Sequence, residues 1–450
     1  MSLSTPICDF VRRYKESDTV RAHMPGHKGR MFLGCEDIDI TEIKGADALY
    51  EAEGIIAESE RNASFIFGSG HTYYSTEGSS QCIKAMLFLA MGQQSRANGE
   101  RPLVLAARNV HKAFVHACAL LDIDVEWLMP EKEGLSVCSC PISAGKVRKK
   151  LAELERRPFA LYLTYPDYLG GTADLAAISE VCRKSGMLLL VDNAHGAYLK
   201  FLERSRHPLD LGADMCCDSA HKTLPALTGA AYLQISKDIL PQLNRDPRQA
   251  LGMFGSTSPS YLILQSLDLC NRIISEGYDE EIRQTVQKIT KLAEKLSELG
   301  FNAGCLVGDP LKLVIRDVRG GTWLAQRLRE KEIEVEFADS AAVVMMLTPA
   351  NSDDDLKKIY DSLKDIGAAE KGEFAFLPAL TKPERVMTIR EAVFAAGETI
   401  PVTEAEGRIC AALTISCPPA VPIAVSGEKI TKEEIKILLA YSIDRVDVVK

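Results

Sequence analysis

The chain has 450 residues, too many for one simple core, so two or three domains are expected. Its 46% hydrophobic and 26% charged content is that of an ordinary globular protein. Fifty-three basic against 62 acidic residues leave a net charge of −9, without the basic stripe of a nucleic-acid binder.

The N-terminus, MSLSTPICDFVRRYKES, lacks an apolar signal core, and no run nears the roughly 18 apolar residues of a membrane span. The 13 cysteines contain no C-x-x-C pair and read as reduced, buried side chains. The expectation is a cytoplasmic protein that does not engage a membrane. Residues 1–55 form an N-terminal arm. Within it His23 and His27 are four apart, but Pro25 and Gly26 break the helix that would aim both at a metal. No metal site is expected.

Residues 56–270 read as the large domain. In STEGSSQCIKAMLFLAMG, Gly78, Ser79 and Ser80 precede a helix whose apolar positions include Ile83, Leu87 and Ala90. Short apolar runs follow at 102–108, 124–129, 159–166, 186–192 and 213–219, and DLAAISEVCRKSG between them is helical with Gly186 at its end. Alternating β and α elements predict an α/β fold with a mostly parallel sheet between helices. Ligands in such sheets gather at the carboxyl ends of the strands. Four polar clusters fall there: RNVHKAF, YPDYLGG, DNAHGAY and DSAHKTL.

Residues 271–380 read as a smaller α+β domain. It starts with a helix carrying Ile282, Val286, Ile289, Ala293 and Leu296 on one face and ending at Gly300. Strands are expected in LKLVIRDV, IEVEFAD and AVVMMLTP, and a helix in GTWLAQRLREKE. Residues 381–450 form a C-terminal domain with a Pro-rich loop, SCPPAVPIAVSGEKI, and a capping box of Thr431 and Glu434.

The clusters suggest chemistry. Asp192 ends an apolar strand and is followed by small Ala194 and Gly196, which permit a flat ligand to approach. A strand-end aspartate can simply cap the next turn; it can also hold a proton on a ring nitrogen. Lys222 lies 30 residues later, between Ser219 and His221 on one side and apolar residues on the other. A desolvated lysine beside a second cationic group becomes a nucleophile toward carbonyls. Pyridoxal 5′-phosphate requires such a lysine, an acid facing its ring nitrogen and a phosphate cradle. Gly78, Ser79 and Ser80 at a helix N-terminus offer N–H groups, hydroxyls and the positive dipole end to a dianion. His111, after a strand end, is either a turn residue or an imidazole stacked on the cofactor ring.

In order, these pieces resemble the ornithine/lysine/arginine decarboxylases, enzymes of the fold type I, aspartate aminotransferase-like pyridoxal phosphate class. The resemblance runs nearly end to end, through HMPGHKG, DITEIKGADAL, EGSS, RNVHKA, VDNAHGAY, SAHKTL, STSPSYL, REAVF and CPPAVPI. It implies that Lys222 bonds covalently to the cofactor, Asp192 pairs with its ring nitrogen, and His111 and Ala194 cover its two faces. Gly78, Ser79, Ser80, Ser219 and His221 would hold the phosphate, with His195 also at the cofactor, and Lys222 or a nearby imidazole such as His221 would return a proton. Thr257 would reach the phosphate of a second subunit, making the active unit a homodimer with a shared site.

The implied reaction is decarboxylation of arginine, lysine or ornithine to a polyamine precursor. Another bond could be broken with the same cofactor, in an aminotransferase or a carbon–sulfur lyase, or the chain could be a non-catalytic cofactor-binding relative. The departures from the family pattern are Glu77 for Asn, Tyr165 for Ser or Thr, Asp167 for Thr, Asn193 for Glu, and Cys417 and Ala420 in the Pro-Pro block. Glu77, Asp167 and Glu336 are candidates to bind the distal cation of the substrate. A carboxylate buried at 77, beside the phosphate cradle, would need a compensating cation.

Overall fold

The computed structural model describes residues 2–93, 99–130, 134–306, 308–370, 372–374, 376–378, 380, 382–412 and 421–450. Cys417 and Ala420 lie outside the described residues. The strands in chain order are β1 His71–Ser75, β2 Leu103–Ala107, β3 Asp124–Leu128, β4 Ala160–Thr164, β5 Leu188–Asp192, β6 Met215–Asp218, β7 Ala231–Ile235, β8 Asn302–Leu306, β9 Asp309–Arg316, β10 Phe337–Ala338, β11 Ala342–Met346, β12 Gly397–Pro401 and β13 Arg445–Val449. Two compact units divide the chain: Met1–Ser95 with Leu188–Glu280, and Arg96–Met187 with Glu281–Lys450. Each unit is thus assembled from two separate stretches of sequence.

In the first unit the strands run in the order β1-β7-β6-β5. β5 and β6 are parallel, with Asp192 opposite Cys217, while β7 is antiparallel to both β6 and β1. All five apolar strands expected from the sequence are present, including these two. β1 and β7 are additions. HTYYS carries no apolar run, yet its Tyr74 is fully buried because the phenol bonds Ser59 and the Asn271 amide at 2.8 and 2.7 Å. The helices Pro6–Lys15, Ile55–Phe67 and Tyr261–Ser275 pack on one another. The helix Ser79–Met91 lies on β6 and β7 and buries Cys82, Ile83, Met86, Leu87 and Ala90.

In the second unit β4, β2 and β3 are parallel neighbours in that order. The helix Leu175–Ser185 ends at Gly186, whose φ of 57° is the left-handed cap expected there. A four-stranded antiparallel sheet follows in the order β10-β11-β9-β8. The strand expected in IEVEFAD is reduced to Phe337–Ala338, since only its end pairs with β11. The antiparallel ribbon β12–β13 and the helix Lys432–Ala440 close a separate core of Val402, Cys410, Ile423, Ile437, Leu438 and Val448. Thr431 and Glu434 form the anticipated capping box. Among the described residues no helix is long and apolar enough to cross a membrane.

Candidate active site

The carboxyl ends of β5 and β6 build the site in the first unit. Val191 and its neighbours bury β5, so the strand delivers Asp192 at 2% exposure to the sheet's edge. There Asp192 Oδ1 accepts from the Ala194 N–H at 3.2 Å and from the Cys217 thiol at 3.6 Å. Burial holds the Cys217 thiol well above the usual thiol range, so it stays a protonated donor to that carboxylate.

β6 ends at Asp218, and Ser219 opens a single helical turn, Ala220–Thr223. That turn projects Lys222, whose Nζ lies 2.7 Å from His195 Nε2. The contact joins the β5 and β6 loops across 27 residues of sequence. His221 packs back on the chain, its Nδ1 2.9 Å from the Ala230 carbonyl. Lysine, imidazole and aspartate are thereby gathered on two adjacent strand ends.

The Gly-Ser-Ser step lies beside them. Ser219 donates to Ser79 Oγ at 2.9 Å, tying the β6 loop to the first residue of the helix Ser79–Met91. Gly78 has φ 70° and ψ 179°, a conformation essentially restricted to glycine, and the space where a Cβ would stand is open. Its N–H is held by the Gly229 carbonyl at 2.8 Å. The result is a cleared helix N-terminus ringed by two hydroxyls, a donor set suited to a dianion.

The remaining expected residues are placed as follows. Ser80 and Ala194 are half-buried in the first unit, and Thr257 is exposed there. His111 belongs to the second unit, where its Nδ1 caps the helix Lys112–Leu121 by accepting from the Ala113 N–H at 3.2 Å. The stretch leading to it is anchored by Arg108, which is 3% exposed and donates to Glu428 at 2.8 Å and to the Ile423 carbonyl at 2.8 Å.

The three candidate substrate carboxylates fare differently. Glu77 is exposed, so a compensating cation for a buried charge is not required. Asp167 is buried and accepts from the Leu169 and Gly171 N–H groups at 2.9 and 2.7 Å, which is a loop-shaping role. Glu336 accepts from the Tyr168 hydroxyl at 2.6 Å.

Sequence reasoning passed over Asp218. It is fully buried, and its carboxylate meets the Asn193 amide, the Gln234 amide at 2.9 Å and His207 Nε2 at 3.2 Å. The signal was present: a strand-end acid abutting SAHK. Among the described residues, His207, Cys216 and Asp218 also form a group within metal-ligand reach. The hydrogen bonds from two amides and the imidazole account for that carboxylate as it stands.

Comparison with known proteins bears on this arrangement. Residues 5–312 match the model of the Orn/Lys/Arg decarboxylase major domain, and residues 375–442 that of the Orn/Lys/Arg decarboxylase C-terminal domain. An arginine decarboxylase of Bacillus subtilis is 30% identical over 96% of this chain and 93% of its own length. An arginine decarboxylase of Bacillus anthracis is 26% identical over 96% and 92%. Among solved structures, the Escherichia coli constitutive lysine decarboxylase superposes with a TM-score of 0.79 at 17% identity, covering 99% of this chain and 82% of that one. That superposition extends the same α/β architecture over nearly the whole chain.

Proposed function

The chain belongs to the Orn/Lys/Arg decarboxylase family, and from that premise we propose that it decarboxylates a basic amino acid, arginine first, using pyridoxal 5′-phosphate held by the first unit. The carrying observation is the joint presence of Lys222 against His195, buried Asp192, and the Ser79–Ser219 pair at a cleared helix N-terminus. These residues fit the cofactor chemically. Lys222 supplies the amine for its aldehyde, Asp192 a carboxylate for its ring nitrogen, and Ser79, Ser80 and the helix N–H groups the donors for its phosphate. His221 is assigned to the phosphate side. When bound, the cofactor supplies the electron sink that lets a carbon–carboxylate bond break.

The protein's own residues then manage protons and orientation. Asp192 would set its carboxylate beside the ring nitrogen. Lys222 and His195, in hydrogen-bond contact, exchange a proton between amine and imidazole, which equips Lys222 to return one to carbon after carbon dioxide leaves. Arginine is placed first because relatives named for it match almost the full length of both chains.

The active unit is a homodimer in this reading. Met31, Phe32 and Leu33 are 52%, 72% and 79% exposed in the N-terminal arm, and Thr257 and Met253 stand in the solvent of a single chain. An apolar segment of that kind calls for cover. The cytoplasm, where the 13 cysteines stay reduced, is the assigned compartment. The test is borohydride reduction after addition of pyridoxal phosphate, followed by peptide mapping. The label falls on Lys222; label on another lysine overturns the assignment.

A further inference from the structure

The loops that carry Asp192 and Lys222 meet through one buried carboxylate. Asp218 has no exposure, and its partners are two amides and an imidazole rather than a guanidinium or an ammonium. Its Oδ1 accepts from the Asn193 side chain, the residue between Asp192 and the Ala194–His195 turn. Its Oδ2 accepts from Gln234 at 2.9 Å, and Gln234 is in turn bonded by Thr72 at 2.6 Å. On its own strand Asp218 immediately precedes Ser219, the partner of Ser79, and stands four residues before Lys222.

Backbone bonds reinforce the same junction. The Asn193 N–H donates to the Cys217 carbonyl at 2.9 Å, and the Asn193 carbonyl accepts from Gly196 at 2.8 Å. The Asn193 side chain therefore fixes the β5 loop through an atom that must be a donor, because the atom facing it is a carboxylate oxygen. His207 is itself buried, with its ring 5.5 Å from Phe67, so the third partner has no room to swing away.

We propose that Asp218 is a positioning residue. Its carboxylate, read by the Asn193 amide, sets the β5 loop so that His195 meets Lys222 and Asp192 faces the cofactor ring. This rests on the function proposed above, but the geometry it concerns exists without a cofactor. The bond is charge-assisted only while one position holds an acid and the other an amide; two amides keep no more than a neutral bond, and only after one of them turns over. An acid at both positions places two carboxylates in contact, which a buried site tolerates only by displacing the loop or taking up a proton. Exchanging the two preserves the pattern: an amide at 218 donates to an acid at 193, and its oxygen still accepts from Gln234 and His207.

The test uses Asn193→Asp, Asp218→Asn and the double exchange, all in full-length protein. Two readouts are taken. The first is the rate at which trinitrobenzenesulfonate labels Lys222 at fixed pH in cofactor-free protein, followed by peptide mapping. The second is kcat and KM of the cofactor-loaded protein with the amino acid it decarboxylates. Positioning predicts that each single variant changes the Lys222 labelling rate and lowers kcat by about ten- to hundredfold, with KM changed less. The double exchange returns both toward wild type.

Singles that behave as wild type overturn the proposal, and so does a double exchange no better than its parts. Where Asn193→Asp fails to fold, the comparison of Asp218→Asn with the double exchange decides by the same criterion. If the wild type releases no carbon dioxide yet Lys222 labelling shifts and is rescued, the functional reading falls and the positioning role stands. If the wild type is active and labelling never moves, the positioning role alone falls.

Discussion

Removing the hydroxyls of the phosphate cradle gives a direct quantitative check. Ser79→Ala and Ser219→Ala each delete one donor from a dianion site, while the N–H groups of the helix Ser79–Met91 remain. A hydrogen bond to a charged group contributes about 1.5–3 kcal/mol, so each variant weakens the cofactor by roughly ten- to hundredfold. The effects are not independent, because Ser219 donates to Ser79 at 2.9 Å. With Ser79 gone, the Ser219 hydroxyl is released to turn fully to the phosphate and offsets part of that loss, so the double variant loses more than the product of the two singles. The assay is a pyridoxal phosphate titration by absorbance. The cofactor-induced rise in melting temperature gives an independent value, since binding to the folded state alone stabilises by mass action. Affinities within twofold of wild type in both single variants and the double refute the cradle.

Asp192→Asn retains cofactor but lowers kcat by about a hundredfold or more, because an amide does not hold a charge beside the ring nitrogen; near-wild-type turnover contradicts the assigned role. Burial, opposed by Arg108, pushes Glu434 up to about 7 from its usual 4.5. The folded protein therefore holds this proton where the unfolded chain has lost it, so this group makes stability fall as pH rises between about 4.5 and about 7. Glu434→Gln flattens that part of the melting-temperature profile; an unchanged slope places the proton elsewhere. Thr257→Ala leaves the monomer fold intact but loosens cofactor retention if a second subunit shares the site. Analytical ultracentrifugation with cofactor titration reads both, and a monomer that holds cofactor equally well at nanomolar concentration refutes the shared site.

The parts of the fold that reveal themselves in sequence are those specified locally. β2 to β6 each carry an apolar run, and the helix ends at Gly186 and Thr431 carry their own capping chemistry. β1 does not, because the burial of its Tyr74 depends on partners for the phenol supplied by the Ser59 hydroxyl and the Asn271 amide. The candidate lysine, aspartate and Gly-Ser-Ser step were legible because each needs a particular residue type at a strand or helix end. The Lys222–His195 contact and the Asp218–Asn193 pair were not, since each joins residues 25 or more apart through strand pairing that no local pattern encodes. The neighbours of Glu77 promised a buried site, but the residue is exposed.

The central claim is that Lys222 drives decarboxylation of a basic amino acid. Release of carboxyl-labelled carbon dioxide from arginine, lysine and ornithine, measured for the wild type and Lys222→Ala with pyridoxal phosphate present, tests it most directly. The account predicts release from at least one of the three, arginine foremost, and loss of that release in the variant. No release from any of them by the cofactor-loaded wild type, or equal release by Lys222→Ala, contradicts it.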